Sequence, residues 1–208
     1  MPATPAQAVP DAGVAGLCIL TRSGNRGHTA RAQRHPSPGE RGARAMNWKT
    51  FREAAPELAR LAEERFAHSG VALLGTLRRD GTPRISPVEP LIAAENLLLG
   101  LMWHSTKALD LQRDPRCTLH SAITSLEGIE GECKLDGRAA EAPDPAIQAA
   151  QQRIFREHWG ADAPTAFHVV TLDIERAAFI RYAPASSEML VARWDPIHGM
   201  RETRRPYP

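Results

Sequence analysis

Residues 70–90 read GVALLGTLRRDGTPRISPVEP, two extended segments around a tight turn. Val71 to Leu77 is a nearly continuous apolar run, of strand length rather than helix length. Asp80-Gly81 suits a hairpin turn, because glycine accepts positive φ without steric cost. The returning segment carries Arg84 and Ser86 two residues apart, so on an extended chain both side chains point to one face. Pro83 and Pro87 place that segment at a sheet edge or bulge, since proline donates no ladder hydrogen bond. A polar face beside a core-like strand needs a partner, and the rest of the chain has to supply it.

Working outward, residues 47–66, NWKTFREAAPELARLAEERF, carry Trp48, Phe51, Leu58, Leu61, Ala62 and Phe66 at helical spacings, with Pro56 expected to split the segment in two. Downstream, TPRISPVEPLIA (82–93) reads as one returning strand, AEN (94–96) as a turn, and LLLGLMW (97–103) as a third strand. STKALDLQRD (105–114) is a short helix with Ser105 as its N-cap, ended by Asp114-Pro115. RCTLHSAITS and IEGECKLDGRAAEA are two further strands. DPAIQAAQQRIFREHWG (144–160) has Asp144 as cap, Pro145 in the first turn, Ile147, Ala150 and Ile154 on one face and Gly160 as its stop. FHVVTLDIERAAFIRY and EMLVARW complete the strands. The reading is mainly β with flanking helices: an antiparallel barrel of about six to eight strands, not alternating βαβ units. The G-x-G-x-x-G and G-x-x-x-x-G-K-[ST] phosphate loops do not occur.

The basic balance of the chain is local. Across 208 residues, 26 Lys and Arg face 24 Asp and Glu. Residues 1–45 hold six Arg against Asp11 and Glu40, giving +4, which leaves 20 basic and 22 acidic residues in 46–208, giving −2. A broad nucleic-acid surface is therefore not expected. Residues 1–45 contain no Phe, Trp or Tyr, and their Pro, Gly, Ala and Arg recur without period. Such a stretch cannot bury enough surface to offset the entropy of ordering it. It is expected to be a disordered extension or a mis-assigned start ahead of Met46, with a single domain from 46 to 208; a basic arm for nucleic acid or a membrane is the less favoured reading. Three cysteines without metal-type spacing (Cys18, Cys117, Cys133) suit a reducing, cytoplasmic setting. The longest early apolar run, VAGLCIL, is shorter than a signal peptide or a span of roughly 20 residues requires, so no membrane association is expected.

The polar pair finds its counterpart at residues 103–107, WHSTK. After the third strand the chain offers His104, Ser105, Thr106 and Lys107 at a helix start, where free N–H groups and a positive partial charge favour an anion. Arg84 and Ser86 are expected on a strand that pairs directly with the one ending at Trp103. Two cations, two or three hydroxyls and a helix N-terminus then converge, which outlines a phosphate site.

This arrangement (a strand, DGTPRISPV, an apolar strand, STKALDLQRDPR and the strand CTLHSA) resembles the pyridoxamine 5′-phosphate oxidase-like, FMN-binding split-barrel superfamily over roughly residues 47–142. The resemblance implies that Arg84, Ser86, Ser105 and Lys107 hold a cofactor phosphate. It implies also that Pro87 and the strand end Met102, Trp103 and His104 line the cofactor. It implies FMN, with deazaflavin or haem as alternatives, bound in grooves between the two subunits of a homodimer. The activity implied is hydride transfer between that cofactor and a small organic substrate; the alternative is a non-enzymatic flavin- or haem-binding module. The segment MLVARWDPIHGMRETRRPYP does not clearly supply the basic substrate-phosphate element of the vitamin B6 oxidases. No catalytic acid or base is assigned.

His104, His120, His158 and His168 lie in different elements without metal-ligand spacing, so structural or surface roles are expected and no metal. Asp110, Asp114, Glu130 and Glu132 read as mostly exposed charges. A Ser-His-Asp hydrolase lacks its G-x-S-x-G elbow.

Overall fold

The structure, a computed structural model, describes residues 46–125, 128–142, 144–162 and 166–207. The expectations for residues 1–45 and for Cys18 lie outside these. Four α-helices and nine antiparallel strands are present among the described residues.

Two helices open the fold. In α1 (Trp48–Ala54) the Asn47 side chain caps by accepting from the Thr50 N–H at 3.0 Å. Pro56 sits at the first position of α2 (Pro56–Ser69), so the expected split occurs where proline tolerates it. α2 ends on Gly70 with φ +65°, a conformation cheap only for glycine. Trp48 and Phe51 are fully buried, with ring centroids 5.4 Å apart, and Phe51 meets Trp194 edge-on at 5.2 Å. Met46 ties the start of this body to the long strand, its N–H donating to Asp173 Oδ1 at 2.6 Å.

The expected hairpin forms from β1 (Ala72–Leu77) and β2 (Pro83–Val88), with Gly81 at φ +83° in its turn. The segment after the turn, expected as one strand, is two. It breaks at Glu89, and β3 (Pro90–Ala93) pairs not with β1 but with β4 (Asn96–Met102). Pro87 and Pro90 donate no ladder bonds, which leaves the intervening residues free to change partner. Ala94 and Glu95, both at positive φ, make the tight turn between β3 and β4. Helix α3 (Thr106–Arg113) follows, then β5 (Arg116–Ser121), β6 (Glu132–Glu141), α4 (Pro145–Trp159), β7 (Phe167–Ala183), β8 (Glu188–Asp195) and β9 (Gly199–Pro206). β9 was not foreseen; seven of its eight residues are exposed, so its burial pattern carries no period-2 signal.

The strands run in the order β2-β1-β5-β6-β7-β4-β3, with β8 and β9 extending from β7. β2 and β3 form the two edges of that path, yet they are consecutive in the chain. β7, 17 residues long, serves β4 with its first half and β8 with its second. The sheet is not closed, as in a split barrel. The expected direct pairing of β2 with the Trp103 strand does not occur: β4 is bonded to β3 and β7. Leu74, Leu97, Leu99, Leu101, Leu119, Leu135 and Leu172 fill the interior beneath α1 and α2.

Candidate functional site

The site grows from the face of β2 that α3 covers. In register, Arg84 lies opposite Thr76 and Ser86 opposite Leu74. Both opposite residues are buried, so Arg84 and Ser86 point to the inner side of the sheet while Ile85 and Pro87 point out. Helix α3 lies along this face and is fastened to it at both ends. Near its start, Lys107 Nζ donates to the Pro87 carbonyl at 2.7 Å. Burial lowers the Lys107 pKa, with the nearby Glu89 opposing the shift. Near its end, Arg113 donates to the Leu77 carbonyl.

Between them stands Asp110, which sequence reasoning took for an exposed charge. It is 4% exposed. Arg84 Nε donates to its Oδ2 at 2.7 Å, Thr76 Oγ1 to the same oxygen at 3.1 Å, and Arg113 to Oδ1 at 3.1 Å. Burial disfavours the carboxylate, but the hydrogen bonds from Arg84, Arg113 and Thr76 outweigh it and hold the pKa below the ordinary aspartate range. Arg84 is thus first a partner of Asp110. Its terminal guanidinium nitrogens make no hydrogen bond among the described residues, so the pairing orients the group and leaves both of those nitrogens free to donate. No spacing on α3 marks Asp110 as buried, since a carboxylate three residues before an arginine is equally the pattern of an exposed helix pair. Asp114, Glu130 and Glu132 are likewise only part-exposed rather than free surface charges. The Glu130 carboxylate accepts from the Thr124 N–H at 2.7 Å and hydroxyl at 2.8 Å.

At the corner from β4 into α3, the chain turns through Trp103 and His104, and His104 adopts φ +52°. Ser105 holds the N-cap position, but its side chain makes no cap hydrogen bond, contrary to expectation. Its Oγ is buried without a partner. A buried hydroxyl left unbonded costs about 1–3 kcal/mol, so such groups ordinarily find a partner in the protein or in a ligand. Beside it are the first three N–H groups of α3, which no carbonyl of the helix can satisfy. These donors, with Lys107 and the free end of Arg84, fit an anion of phosphate type.

Met102 is 76% and Trp103 55% exposed. The Trp103 ring stacks on His168, centroids 4.5 Å apart and 11° from parallel. His168 is buried; its ring nitrogens lie 3.4 Å from the His104 N–H and 3.4 Å from Glu141 Oε1. The corner therefore leans on β7, a dependence no local pattern signals. Lys107 meets Pro87 near the start of α3, Arg84 is held by Asp110 one turn further along the helix, Ser86 shares the Arg84 face of β2, and Met102, Trp103 and His104 lead into the Ser105 cap position. Among the described residues no group of three or more His, Cys, Asp or Glu could hold a metal ion, and no helix is long and apolar enough to cross a membrane.

The family model for pyridoxamine 5′-phosphate oxidase matches residues 58–181. No curated protein matches the chain. Among solved structures, a Listeria innocua protein provisionally named a pyridoxamine 5′-phosphate oxidase is similar at 18% identity and TM-score 0.51, over 59% of this chain and 98% of that one. A pyridoxamine 5′-phosphate oxidase-related, FMN-binding protein from Nostoc punctiforme is similar at 11% identity and TM-score 0.52, over 74% and 96%. A heme-binding protein from Mycobacterium smegmatis lies further off, at 13% identity and TM-score 0.45, over 71% and 88%.

Proposed function

Given that the chain belongs to the pyridoxamine 5′-phosphate oxidase family of FMN-binding split barrels, we propose that it is a flavin-dependent oxidoreductase whose cofactor phosphate sits at the N-terminus of α3. The observation that carries this reading is the unpartnered, buried hydroxyl of Ser105 beside a desolvated Lys107. A dianionic phosphate would complete both groups: it accepts from the hydroxyl and restores a counter-charge to the ammonium. Arg84, held by Asp110, adds a pre-oriented donor, and Ser86 lies on the same face.

When bound, the isoalloxazine ring supplies hydride chemistry, and the protein's part is to bind, orient and shield. Met102, Trp103 and His104 form the ring-lining corner. Trp103, backed by His168, offers a flat apolar surface of fixed orientation. FMN is the proposed cofactor; a deazaflavin carrying the same phosphate would use the same donors. A second copy of the chain is the proposed partner, covering the outer face where Leu73 is 40% and Ile85 71% exposed. The free, buried thiols of Cys117 and Cys133 suit a reducing cytoplasm.

The test is titration of the purified full-length protein with FMN and with riboflavin, followed by flavin fluorescence. FMN should bind at least tenfold tighter than riboflavin, and Lys107→Ala and Ser105→Ala should each weaken FMN by about 1–3 kcal/mol with riboflavin unaffected. Equal affinity for the two flavins would remove the phosphate site from α3. FMN binding without reductant-dependent turnover of any acceptor would turn the reading to a flavin carrier.

A further inference from the structure

Helix α3 has a second flank. Lys107, Asp110 and Arg113 meet β1 and β2, whereas Leu111 and Gln112 face β6 and β7. A cavity of about 470 Å³ lies on that side, walled by Leu101 of β4, Leu111 of α3 and Val170 of β7. Small-molecule sites ordinarily span roughly 300–1,000 Å³. The polar groups of the cavity are Gln112, Glu141 and His168, and no Lys or Arg is among the described residues that line it. Gln112 and Glu141 are exposed and stand at its mouth, while His168 is 9% exposed.

The bonding at the mouth is incomplete in one direction. Gln112 Nε2 donates to Glu141 Oε1 at 3.0 Å, and His168 Nδ1 lies 3.4 Å from the same oxygen. The tautomer of His168 follows from its other nitrogen. The His104 N–H can only donate, so His168 Nε2, 3.4 Å away, is the acceptor and the ring proton sits on Nδ1, facing Glu141. Two neutral donors therefore occupy Oε1. Oε2 makes no hydrogen bond, and Glu141 has no ion pair with Lys or Arg, among the described residues. Apolar walls thus adjoin a carboxylate oxygen that still accepts and whose charge no side-chain cation balances. An apolar body gains by leaving water for those walls, and an ammonium beside it would supply both donors and counter-charge. A carboxylate in the same place would meet the charge of Glu141 directly.

We infer that the cavity between α3 and the β6–β7 pair binds a small amphipathic amine, its apolar body against Leu101, Leu111 and Val170 and its ammonium on Glu141 Oε2. The site uses neither Arg84, Ser105 nor Lys107, so it stands whether or not a flavin is the cofactor. It reaches the Trp103 corner through one side chain. His168 borders the cavity and also carries the Trp103 ring, centroids 4.5 Å apart, so an occupant is felt at Trp103 without touching it.

The probe is 2-phenylethylamine, and its counterpart is 3-phenylpropionate, which has the same ring and the opposite charge; both are titrated by calorimetry into the full-length protein. The Glu141 side chain is 60% exposed, so solvent screening holds the expected preference for the amine to about tenfold. Glu141→Gln keeps an acceptor for Gln112 and His168 but loses the charge, and should bring the two affinities within about twofold. Glu202→Gln, on the exposed strand β9, should keep the preference. Ala139→Leu adds bulk to the cavity lining and should lose both ligands, with thermal unfolding as the check on its fold; if that variant does not fold, Glu141→Gln decides. Saturation with the amine should shift the Trp103 emission, taken as the difference between wild type and Trp103→Phe. Absence of amine binding, equal binding of amine and acid, a preference that survives Glu141→Gln, a folded Ala139→Leu that binds like wild type, or an unshifted Trp103 would each overturn the proposal.

Discussion

Asp110 is the residue on which the site's geometry turns. One carboxylate joins α3 to β1 through Thr76, to β2 through Arg84, and to its own helix through Arg113. Removing the charge leaves Arg84 and Arg113 facing each other without a counter-ion, the costly half of breaking a buried pair. Asp110→Asn is expected to lower stability by about 2–4 kcal/mol, read as the midpoint shift in urea unfolding, and to weaken FMN as Arg84 loses its orientation. The pH dependence follows from the sign of the shift. The folded pKa lies below the unfolded value near 3.9, so the stabilisation is complete above that value and disappears as pH falls through the folded pKa. Wild type should lose stability more steeply below about pH 4 than Asp110→Asn, in which the other hydrogen-bonded carboxylates such as Glu130 and Asp114 still titrate; parallel acid profiles would refute this account.

Elements here take their form from a few backbone constraints. The register of β6 against β7 shifts between Asp136 and Gly137, and a β-carbon at Gly137 would lie 2.0 Å from the Asp173 carbonyl oxygen. Backbone on both sides cannot yield cheaply, so Gly137→Ala is expected to cost about 1–3 kcal/mol or more. The bulge also aims Asp173 at the Met46 N–H, so the same substitution should loosen the start of α1, visible as faster amide exchange at residues 48–51. Gly75, whose added β-carbon would meet only ordinary van der Waals contacts with Thr118, is the control. The segment 82–93 shows where pattern reading stops. Its prolines announce an edge, and β2 is an edge. That the chain swaps partners at Glu89, giving one edge of the sheet to β1 and the other to β4, depends on contacts with strands that are distant in sequence.

Across the described residues, the sheet and the helices α1 and α2 enclose the larger of two apolar clusters, and Cys117 on β5 and Cys133 on β6 report on it. Both thiols are buried, and burial pushes the pKa of each up to about 12. From an ordinary value near 9, such a rise leaves roughly a thousandfold less thiolate at pH 8. Alkylation of Cys117 and Cys133 by iodoacetamide, followed residue by residue by peptide mass spectrometry so that Cys18 is counted apart, should therefore proceed only through unfolding, at one rate that rises with urea; fast labelling of either in native buffer would show a local opening. The sequence by itself determined much of this protein. Caps, breakers and strand periods are local chemistry, so Asn47, Pro56, Gly70, the Asp80-Gly81 turn and Asp144 place the ends of their elements, and the order of those elements carries the family resemblance. The DGTPRISPV and STKALDLQRDPR segments likewise point to an anion site, because residue types and spacing are visible without coordinates. Only the tertiary structure decided how those parts meet. Arg84 is bound to a buried Asp110, the Ser105 hydroxyl is left unpartnered, Trp103 rests on His168, and β2 pairs with β1 and not with β4. Each of these is a pairing between segments that are separate in the sequence, fixed by how the sheet curls and where α3 lands on it, and no period or propensity within either segment encodes it.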